Sequence, residues 1–179
     1  MKLKTNITQA ELKAILHYDP HTGLFTWVKS PSIKKLVGKV AGTTREGAYV
    51  IINIRKNMYF AHRLAWLYLH GEFPEKFIDH VNLDKRDNRI SNLRLVNKAE
   101  NQQNQVKAPA HNKSTGLLGA SYNKNAKRFE SGIKLNGKRK HLGFFATAEE
   151  AHYAYLVAKF QIHPMSTLPN PLQEDTCQA

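Results

Sequence analysis

The sequence predicts an α+β protein built from two small domains. Its 179 residues suffice for one domain, or for two of roughly 60 to 100 residues each. Two capping boxes, Thr8 to Glu11 and Thr147 to Glu150, are each followed by apolar residues at helical spacing. Elsewhere, short segments rich in aromatic and β-branched residues alternate with Gly- and Asn-bearing turns, which is typical of antiparallel strands.

The first hundred residues predict a strand-rich region followed by a strand, loop, strand and helix. A helix begins near Thr8 with Leu12, Ile15 and Leu16 as its apolar stripe, and the turn-rich segment 18–23 ends it. The predicted strands that follow share β-type composition and are 25–28, 37–41 and 48–54. The later predicted elements are a helix at 62–70 ended by Gly71, a strand into Asp79 and His80, a strand at 93–96 and a helix capped by Asn97.

The remaining residues predict a linker and a second sheet. Residues 105–115 are polar, contain Pro109 and show no periodicity, so we expect a linker there. Three strands are expected at 117–121, 128–135 and 140–145, with the Asn136-Gly137 hairpin signal between the last two. The helix after Thr147 carries Ala151, Tyr155 and Ile162 on one stripe, and 164–179 is expected to be a disordered tail.

The charge favours a polyanionic partner. With 27 Lys and Arg against 14 Asp and Glu, the net charge is +13, and nucleic acid is the first candidate because binding it releases counterions. A membrane surface is the rival, but no run of about 18 apolar residues is present and the N-terminal segment lacks a signal-peptide core, so we expect a soluble intracellular protein. Cys177 is the only cysteine, which leaves oxygen and nitrogen ligands for any metal.

Asp79 and His80 are the first candidates for chemistry, because they close a strand just before a polar loop. Adjacent strand residues point to opposite faces, so both serve one site only if the backbone kinks. Asparagines are dense downstream, at positions 82, 88, 92, 97, 101 and 104. A neutral amide can hold a histidine ring or ligate a hard metal, although loops also favour Asn for their turns alone.

Four segments together carry a family resemblance: His62 to Trp66, Ile78 to His80, Asp87 to Arg94, and Asn101. They resemble HNH endonucleases of the phage and homing type, and the resemblance extends over roughly Thr8 to Asn104. It implies a ββα-metal finger preceded by a strand-rich leader, and it implies the host cell of a phage-like element as the location.

The resemblance also implies the roles of the site residues. His80 would be the general base that takes a proton from the attacking water, which suits its ordinary pKa near 6.5. Asp79 and Asn101 would ligate one Mg²⁺ or Mn²⁺ ion, and Asn92 would orient the His80 ring. Many relatives have His where this chain has Asn101, so softer metals such as zinc should bind more weakly.

Four arginines near this segment are candidate phosphate contacts: Arg63, Arg86, Arg89 and Arg94. Arg63 lies in the helix of the motif, and the other three surround the proposed site. The alternative interpretation is that these arginines are ordinary solvated surface charges.

The C-terminal region predicts a basic sheet. Nine Lys or Arg residues and one acid, Glu130, lie between Lys107 and His141. The segments 119–122, 141–145 and 147–151 resemble the plant ethylene-response-factor (Apetala-type) DNA-binding domain, in which three strands read the major groove. Phe129 stands where a tryptophan is common in that family. The predicted DNA contacts are Ser121, Asn123, Lys124, Lys127, Arg128, Lys134, Lys138, Arg139 and Lys140.

The sequence therefore predicts a metal-dependent DNA endonuclease with a nuclease domain at 1–104, a linker at 105–115, a DNA-binding domain at 116–163 and a tail at 164–179. Double-stranded DNA is the expected partner, a monomer is favoured, and a single metal site would naturally nick. A non-catalytic DNA-binding regulator is the main alternative. An RNA-binding module is a third, although it would need exposed aromatic residues at stacking positions.

Overall fold

The computed structural model describes residues 6–29, 36–105, 107–110, 112–135, 137–163, 166 and 168. These residues form helices and several small antiparallel sheets, which confirms the α+β class. The chain divides into two compact units, Met1–Lys98 and Ala99–Ala179. This division falls at the start of the helix that precedes the predicted linker, and the domain boundaries drawn from the sequence stay a prediction.

The first unit begins with helix α1 (Gln9–Ile15), and the predicted capping box is present. The Thr8 hydroxyl accepts from the Glu11 backbone N–H while the Glu11 carboxylate accepts from the Thr8 backbone N–H. The helix is shorter than predicted, because Leu16 already has extended backbone and starts strand β1 (Leu16–Tyr18). Leu16 is nevertheless fully buried, since the strand delivers it to the same core as Leu12.

Strand β1 pairs with β2 (Phe25–Trp27), which pairs with β3 (Val40–Ala41), giving a three-stranded antiparallel sheet. The third strand is shorter than the predicted 37–41. Gly38 has a φ of +81° and its N–H donates to the Trp27 carbonyl, so the chain is still turning there. The Asp19 carboxylate closes the turn between β1 and β2 by accepting from the His21 backbone N–H and the Thr22 hydroxyl.

A second pair of strands leads into the helix of the motif. Strands β4 (Ile51–Ile54) and β5 (Asn57–Phe60) form a hairpin whose two turn residues, Arg55 and Lys56, both have positive φ, as a type I′ turn requires. Helix α2 (Ala61–His70) follows at once and ends at Gly71 in the left-handed conformation, as predicted. Its buried face includes Leu64 and Leu67, which join Ile52 and Ile54 in the core of this unit.

The predicted strand, loop, strand and helix are all present. Strand β6 (Phe77–His80) pairs with β7 (Leu93–Val96) in a regular antiparallel register, with Asp79 opposite Arg94 and His80 opposite Leu93. A single 3₁₀ turn (Ile90–Asn92) precedes β7. Helix α3 (Lys98–Gln103) comes next in the chain.

The second unit contains a three-stranded antiparallel sheet in the order β10-β9-β8, formed by Ala120–Asn123 (β8), Arg128–Leu135 (β9) and Lys138–Phe145 (β10). Strand β8 starts later than the predicted 117, because Gly116 and Gly119 both have positive φ. The segment before it is hydrogen bonded to the sheet. The Asn112 side-chain amide donates to the carbonyls of Leu117 (2.9 Å) and Ala120 (2.8 Å).

Helix α4 (Ala148–Ile162) covers one face of this sheet, and its predicted capping box at Thr147 and Glu150 is present. Tyr155 packs with Leu118 and Ile133 in the core of this unit. Lys159 is also buried, and its ammonium donates to the Gln105 carbonyl. Across the described ranges, no helix combines the length and apolar character needed to span a bilayer.

Several predictions made from the sequence lie outside the described residues. These are the Asn136 position of the hairpin signal, Val106 and His111 of the linker, and most of the tail, including Cys177.

Gly119 offers a test of how the second unit packs. A Cβ at this residue would lie 2.0 Å from Cγ of Tyr155, whereas a Cβ at Gly116 would meet nothing within 4 Å, and both residues have positive φ. Gly116→Ala should therefore cost only the backbone penalty, about 1 kcal/mol. Gly119→Ala should cost roughly 1–3 kcal/mol more, because it overpacks the core. Denaturant unfolding of both variants measures the difference, and equal costs would contradict the packing described here.

Candidate active site and basic sheet

His80 lies in a pocket of aromatic rings. Its ring centroid is 5.2 Å from that of His62, at an interplanar angle of 83°, and 5.7 Å from that of Tyr49. His62 is in turn stacked on Phe60 at 5.3 Å, and Tyr49 contacts both of these rings. We call Tyr49, Phe60, His62 and His80 the ring cluster.

The junction between β5 and α2 positions one side of the ring cluster. Phe60 is the last residue of β5 and the N-cap of α2, so Phe60 and His62 project from adjoining backbone. His80 comes from the end of β6, on the same face as the buried Ile78. The ammonium of Lys85, from the loop after β6, lies 5.1 Å from the centre of the Tyr49 ring.

Burial keeps both histidines of the cluster neutral near neutral pH. It lowers the pKa of His62 to about 3, with further lowering from the neighbouring His80 and Arg63. Burial also lowers the pKa of His80, while the Asn88 side chain and the carboxylates of Asp79 and Asp87 act in the opposite direction. His80 is therefore in its proton-accepting form in the folded protein.

Asn88 is the polar neighbour of His80. It is 3 % exposed, its side-chain N–H donates to the Arg86 carbonyl at 2.9 Å, and its amide group interacts with the His80 ring. Two buried atoms of this pair, Oδ1 of Asn88 and Nε2 of His80, have no partner of normal hydrogen-bond geometry among the described residues. The sequence analysis did not assign Asn88 to the site.

Asn92, the predicted partner of His80, uses its side chain elsewhere. Its Oδ1 accepts from the Asn82 backbone N–H at 2.9 Å, and its Nδ2 donates to the Asp87 carbonyl at 2.8 Å. Both hydrogen bonds close the loop between β6 and β7. The Asn92 side chain thus shapes the loop that follows His80, and no hydrogen bond from it to the ring is seen among the described residues.

Asp79 lies on the opposite face of the hairpin from His80, because the register of β6 and β7 is regular and the backbone does not kink. Its Oδ2 accepts from Nε (3.0 Å) and Nη2 (2.7 Å) of Arg94, the residue opposite it on β7. The predicted metal ligand and a predicted phosphate contact therefore form a partly buried ion pair. The structure does not bring Asp79 and His80 to one face.

The other predicted arginines of this unit are also paired. Arg86 binds Asp84 at 3.1 Å, and Nε of Arg89 binds Asp87 at 2.8 Å, both on the exposed loop after β6. Arg89 lowers the pKa of Asp87 to about 2 through this hydrogen bond. Arg63 is half-buried, donates to the Pro74 carbonyl at 3.1 Å and lies over the Phe73 ring, so it holds the turn after α2 rather than facing solvent.

The donor atoms proposed for a metal suit a hard divalent ion. Asp79 offers a carboxylate and Asn101, an exposed residue of α3, offers an amide oxygen. In the part of the chain that the structure describes, no group of three or more His, Cys, Asp or Glu side chains is arranged to hold a metal.

The second unit presents a sheet face that α4 leaves open. Ile133 and Ser131 are buried against the helix side, so the alternate residues of β9 face away from α4. The register places five of the predicted DNA contacts on this open face: Ser121, Asn123, Arg128, Lys134 and Arg139. Lys138 and Lys140 pair with Leu135 and Ile133 and lie on the other face, while Lys124 and Lys127 lie in the turn between β8 and β9.

Glu130 organises the open face. Its carboxylate accepts from Nδ2 of Asn123 at 3.0 Å and from Nη2 of Arg139 at 2.9 Å, and these groups lower its pKa. The Arg139 guanidinium lies across Gly132, where a Cβ would come within 2.7 Å of Nε. The single acid of this region thus fixes one arginine and leaves Arg128 and Lys134 as exposed cations.

One comparison with known proteins bears on the first site. The family model described as HNH endonuclease matches residues 59–103, which include α2, β6, β7 and α3. This match supports a nuclease function and implies DNA as a binding partner. No curated protein and no solved structure matches the chain.

Three residues of the site were missed from the sequence: Tyr49, Phe60 and Asn88. Tyr49 lies in the predicted strand 48–54, just before β4, and Phe60 ends β5, so sequence periodicity treats both as packing residues of strands. Asn88 stands between two charged residues, Asp87 and Arg89, and nothing in the sequence marks it as the buried one.

His62 should make the protein sensitive to acid. Its pKa is about 3 in the folded protein and near 6.5 when unfolded, so the unfolded chain binds one more proton between these values. Stability should fall as pH drops through this window, with a contribution of about 1.4 kcal/mol per pH unit. His62→Phe keeps a ring and should remove that contribution, as measured by denaturant unfolding from pH 7 to 4. The exposed His17→Gln serves as the control, and an unchanged steepness in His62→Phe would contradict this account.

Proposed function

We propose that the chain is a metal-dependent DNA endonuclease of the HNH type, with His80 as its general base. The observation that carries the proposal is a buried histidine, His80, at the end of β6, inside the segment that matches the HNH endonuclease model. A base for water activation must be unprotonated near neutral pH, and burial among rings supplies that condition.

In the proposed mechanism, His80 removes the proton from the water that attacks the scissile phosphorus. The loop from Val81 to Asn92 sets where the ring stands, and the Asn92 side chain shapes that loop through its bonds to Asn82 and Asp87. Lys85, exposed beside Tyr49, brings a positive charge close to the ring cluster. A cation in this position favours the approach of a phosphate group.

Asp79 and Asn101 are the proposed ligands of one Mg²⁺ or Mn²⁺ ion. Such an ion would neutralise charge on the scissile phosphate and on the leaving oxygen. For it to act on the same phosphate as His80, the end of β6 would have to turn so that both side chains reach that phosphate. Arg94 would compete with it, since the same carboxylate accepts two hydrogen bonds from the guanidinium. Arg94 then holds Asp79 in one orientation before substrate arrives, and a phosphate is a second anion that it can bind.

The open face of the second unit is the proposed targeting surface. Exposed cations on a flat sheet face suit contacts to the DNA backbone, and the fixed Arg139 suits a contact to a base edge. A DNA-binding regulator without nuclease activity would use the same surface, so cleavage is the property that separates the two candidates.

Replacing the proposed base tests the nuclease. With supercoiled plasmid and Mg²⁺ or Mn²⁺, the full chain should nick DNA and EDTA should stop it. His80→Ala should lower the rate by about 100- to 10,000-fold, the usual cost of losing a general base. His17→Ala, an exposed histidine of the same unit, should cut normally, and DNA binding by fluorescence anisotropy should be similar in all three proteins.

Near-normal cutting by His80→Ala would remove His80 from the role of base. Metal-independent binding with no cutting by the unaltered protein would favour the regulator.

The two faces of the second sheet offer a matched test of targeting. Arg128→Gln/Lys134→Gln removes two cations from the open face, and Lys138→Gln/Lys140→Gln removes two exposed cations from the other face. Removing one cation that binds a phosphate should flatten the slope of log affinity against log salt by about 0.9. The open-face variant should therefore show the flatter slope of the two, although the net charge of both variants is identical. Equal slopes would show that the open face is not the surface that contacts DNA.

A further inference from the structure

Asn88 is the only buried residue between Val81 and Arg89 in the loop that joins β6 to β7. The other residues from Val81 to Arg89 are at least partly exposed, the apolar Val81 and Leu83 included, so the loop has no apolar core of its own. A buried asparagine in such a loop needs hydrogen-bond partners, because an unpaired buried polar group costs about 1–3 kcal/mol. The hydrogen-bond partners and neighbours of Asn88 therefore determine the position of the loop relative to the His80 ring.

We propose that Asn88 is the positioning residue for the His80 ring, and that Tyr18 and Gly23 of the N-terminal region hold Asn88 in place. The proposal rests on the proposed function, in which His80 is the general base. Under this proposal, the active site depends on residues that lie outside the segment matching the HNH endonuclease model.

The two unpartnered atoms of the pair are complementary. Oδ1 of Asn88 can only accept, and Nε2 of His80 can donate when it carries the ring proton. The Asn88 Nδ2 is already committed to the Arg86 carbonyl, so the amide cannot simply flip to offer its N–H groups instead. The arrangement selects the tautomer with the proton on Nε2. That tautomer leaves Nδ1 as the nitrogen that accepts a proton from water.

Tyr18 anchors the backbone of Asn88. Its hydroxyl donates to the Asn88 carbonyl at 2.7 Å, and the side chain is almost completely buried. The ring itself is held by Phe25, with centroids 4.8 Å apart, and by Tyr68 at 5.7 Å. Burial raises the pKa of Tyr18 to about 12, so the hydroxyl remains a donor at any working pH.

Gly23 also lies against the backbone of Asn88. Its φ is +73°, and a Cβ built on it would lie 2.6 Å from the Asn88 carbonyl carbon and 2.4 Å from the Arg89 nitrogen. The turn between β1 and β2 therefore lies directly against the backbone of Asn88, at a distance that only glycine permits. Tyr18 and Gly23 fix that backbone from two sides, and with it the direction in which the amide points.

Two readouts test the proposal, and one of them does not depend on cleavage. Long-range ¹H–¹⁵N spectra of the imidazole rings report which nitrogen carries the proton, and the signals of His80 are those that disappear in His80→Gln. The unaltered full chain should show His80 with its proton on Nε2, and Asn88→Ala should show a mixture of both tautomers. Steady-state cleavage of a DNA duplex gives kcat and KM for the same proteins.

Asn88→Ala should lower kcat by about 100-fold, the cost expected for a misplaced catalytic group, and leave KM within about twofold. Asn88→Asp keeps an acceptor and should restore the Nε2 tautomer. Tyr18→Phe removes only the hydroxyl and should lower kcat about tenfold. Tyr59→Phe is its matched control, because the buried Tyr59 hydroxyl donates to Oδ1 of Asn6 at 2.7 Å and not to the loop.

An unchanged His80 tautomer together with unchanged kcat in Asn88→Ala would overturn the proposal and leave the nuclease assignment standing. Should Asn88→Ala fail to fold, Tyr18→Phe decides, and equal kcat in Tyr18→Phe and Tyr59→Phe would overturn the proposal. If the unaltered protein does not cut DNA, the proposed function fails, and the tautomer shift still measures whether Asn88 orients His80.

Discussion

The loop after β6 depends on hydrogen bonds, because the two residues it buries, Asn88 and Asn92, are both polar. Its turns are closed by the side chains of Asn82, Asp87 and Asn92, which bond to backbone groups or to one another within the loop. A loop of this kind keeps a fixed shape only where something rigid holds it. Here that support is the Tyr18 hydroxyl, reaching the Asn88 carbonyl from a residue 70 positions earlier in the chain. The same carbonyl belongs to Asn88, the polar neighbour of the His80 ring, so this hydrogen bond links the N-terminal region to the candidate site.

Much of the fold could be predicted from local sequence signals. Both capping boxes, the Gly71 terminus and the β6–β7 segment depend on a few neighbouring residues, and the structure confirms them. Element ends were less predictable, because they are set by tertiary contacts. Leu16 keeps the helical spacing of Leu12 but is extended. Gly119 delays β8 because Tyr155, from a distant helix, occupies the space beside it.

The candidate site was predictable in its residue types and less so in its contacts. His80 and the aspartates and asparagines near it could be found from the end of a predicted strand and from the family resemblance, but neither says which asparagine approaches the ring. Asn88 is the asparagine beside the ring. Its backbone contacts Tyr18 and the turn between β1 and β2, which are far from it in sequence. Likewise, Asp79 pairs with Arg94 because of the strand register, and the sequence does not fix that register, since it depends on how the loop between β6 and β7 folds.

The strict alternation along β6 also constrains how this segment can change over generations. Point substitutions at Asp79 or His80 alter one environment at a time. A one-residue deletion within β6 would exchange the two faces, moving a carboxylate into the ring cluster and an imidazole toward the Arg94 guanidinium. Such a deletion would spoil both environments in a single step. The segment should therefore drift by substitution while its length stays fixed, even where the loop beyond it tolerates insertions.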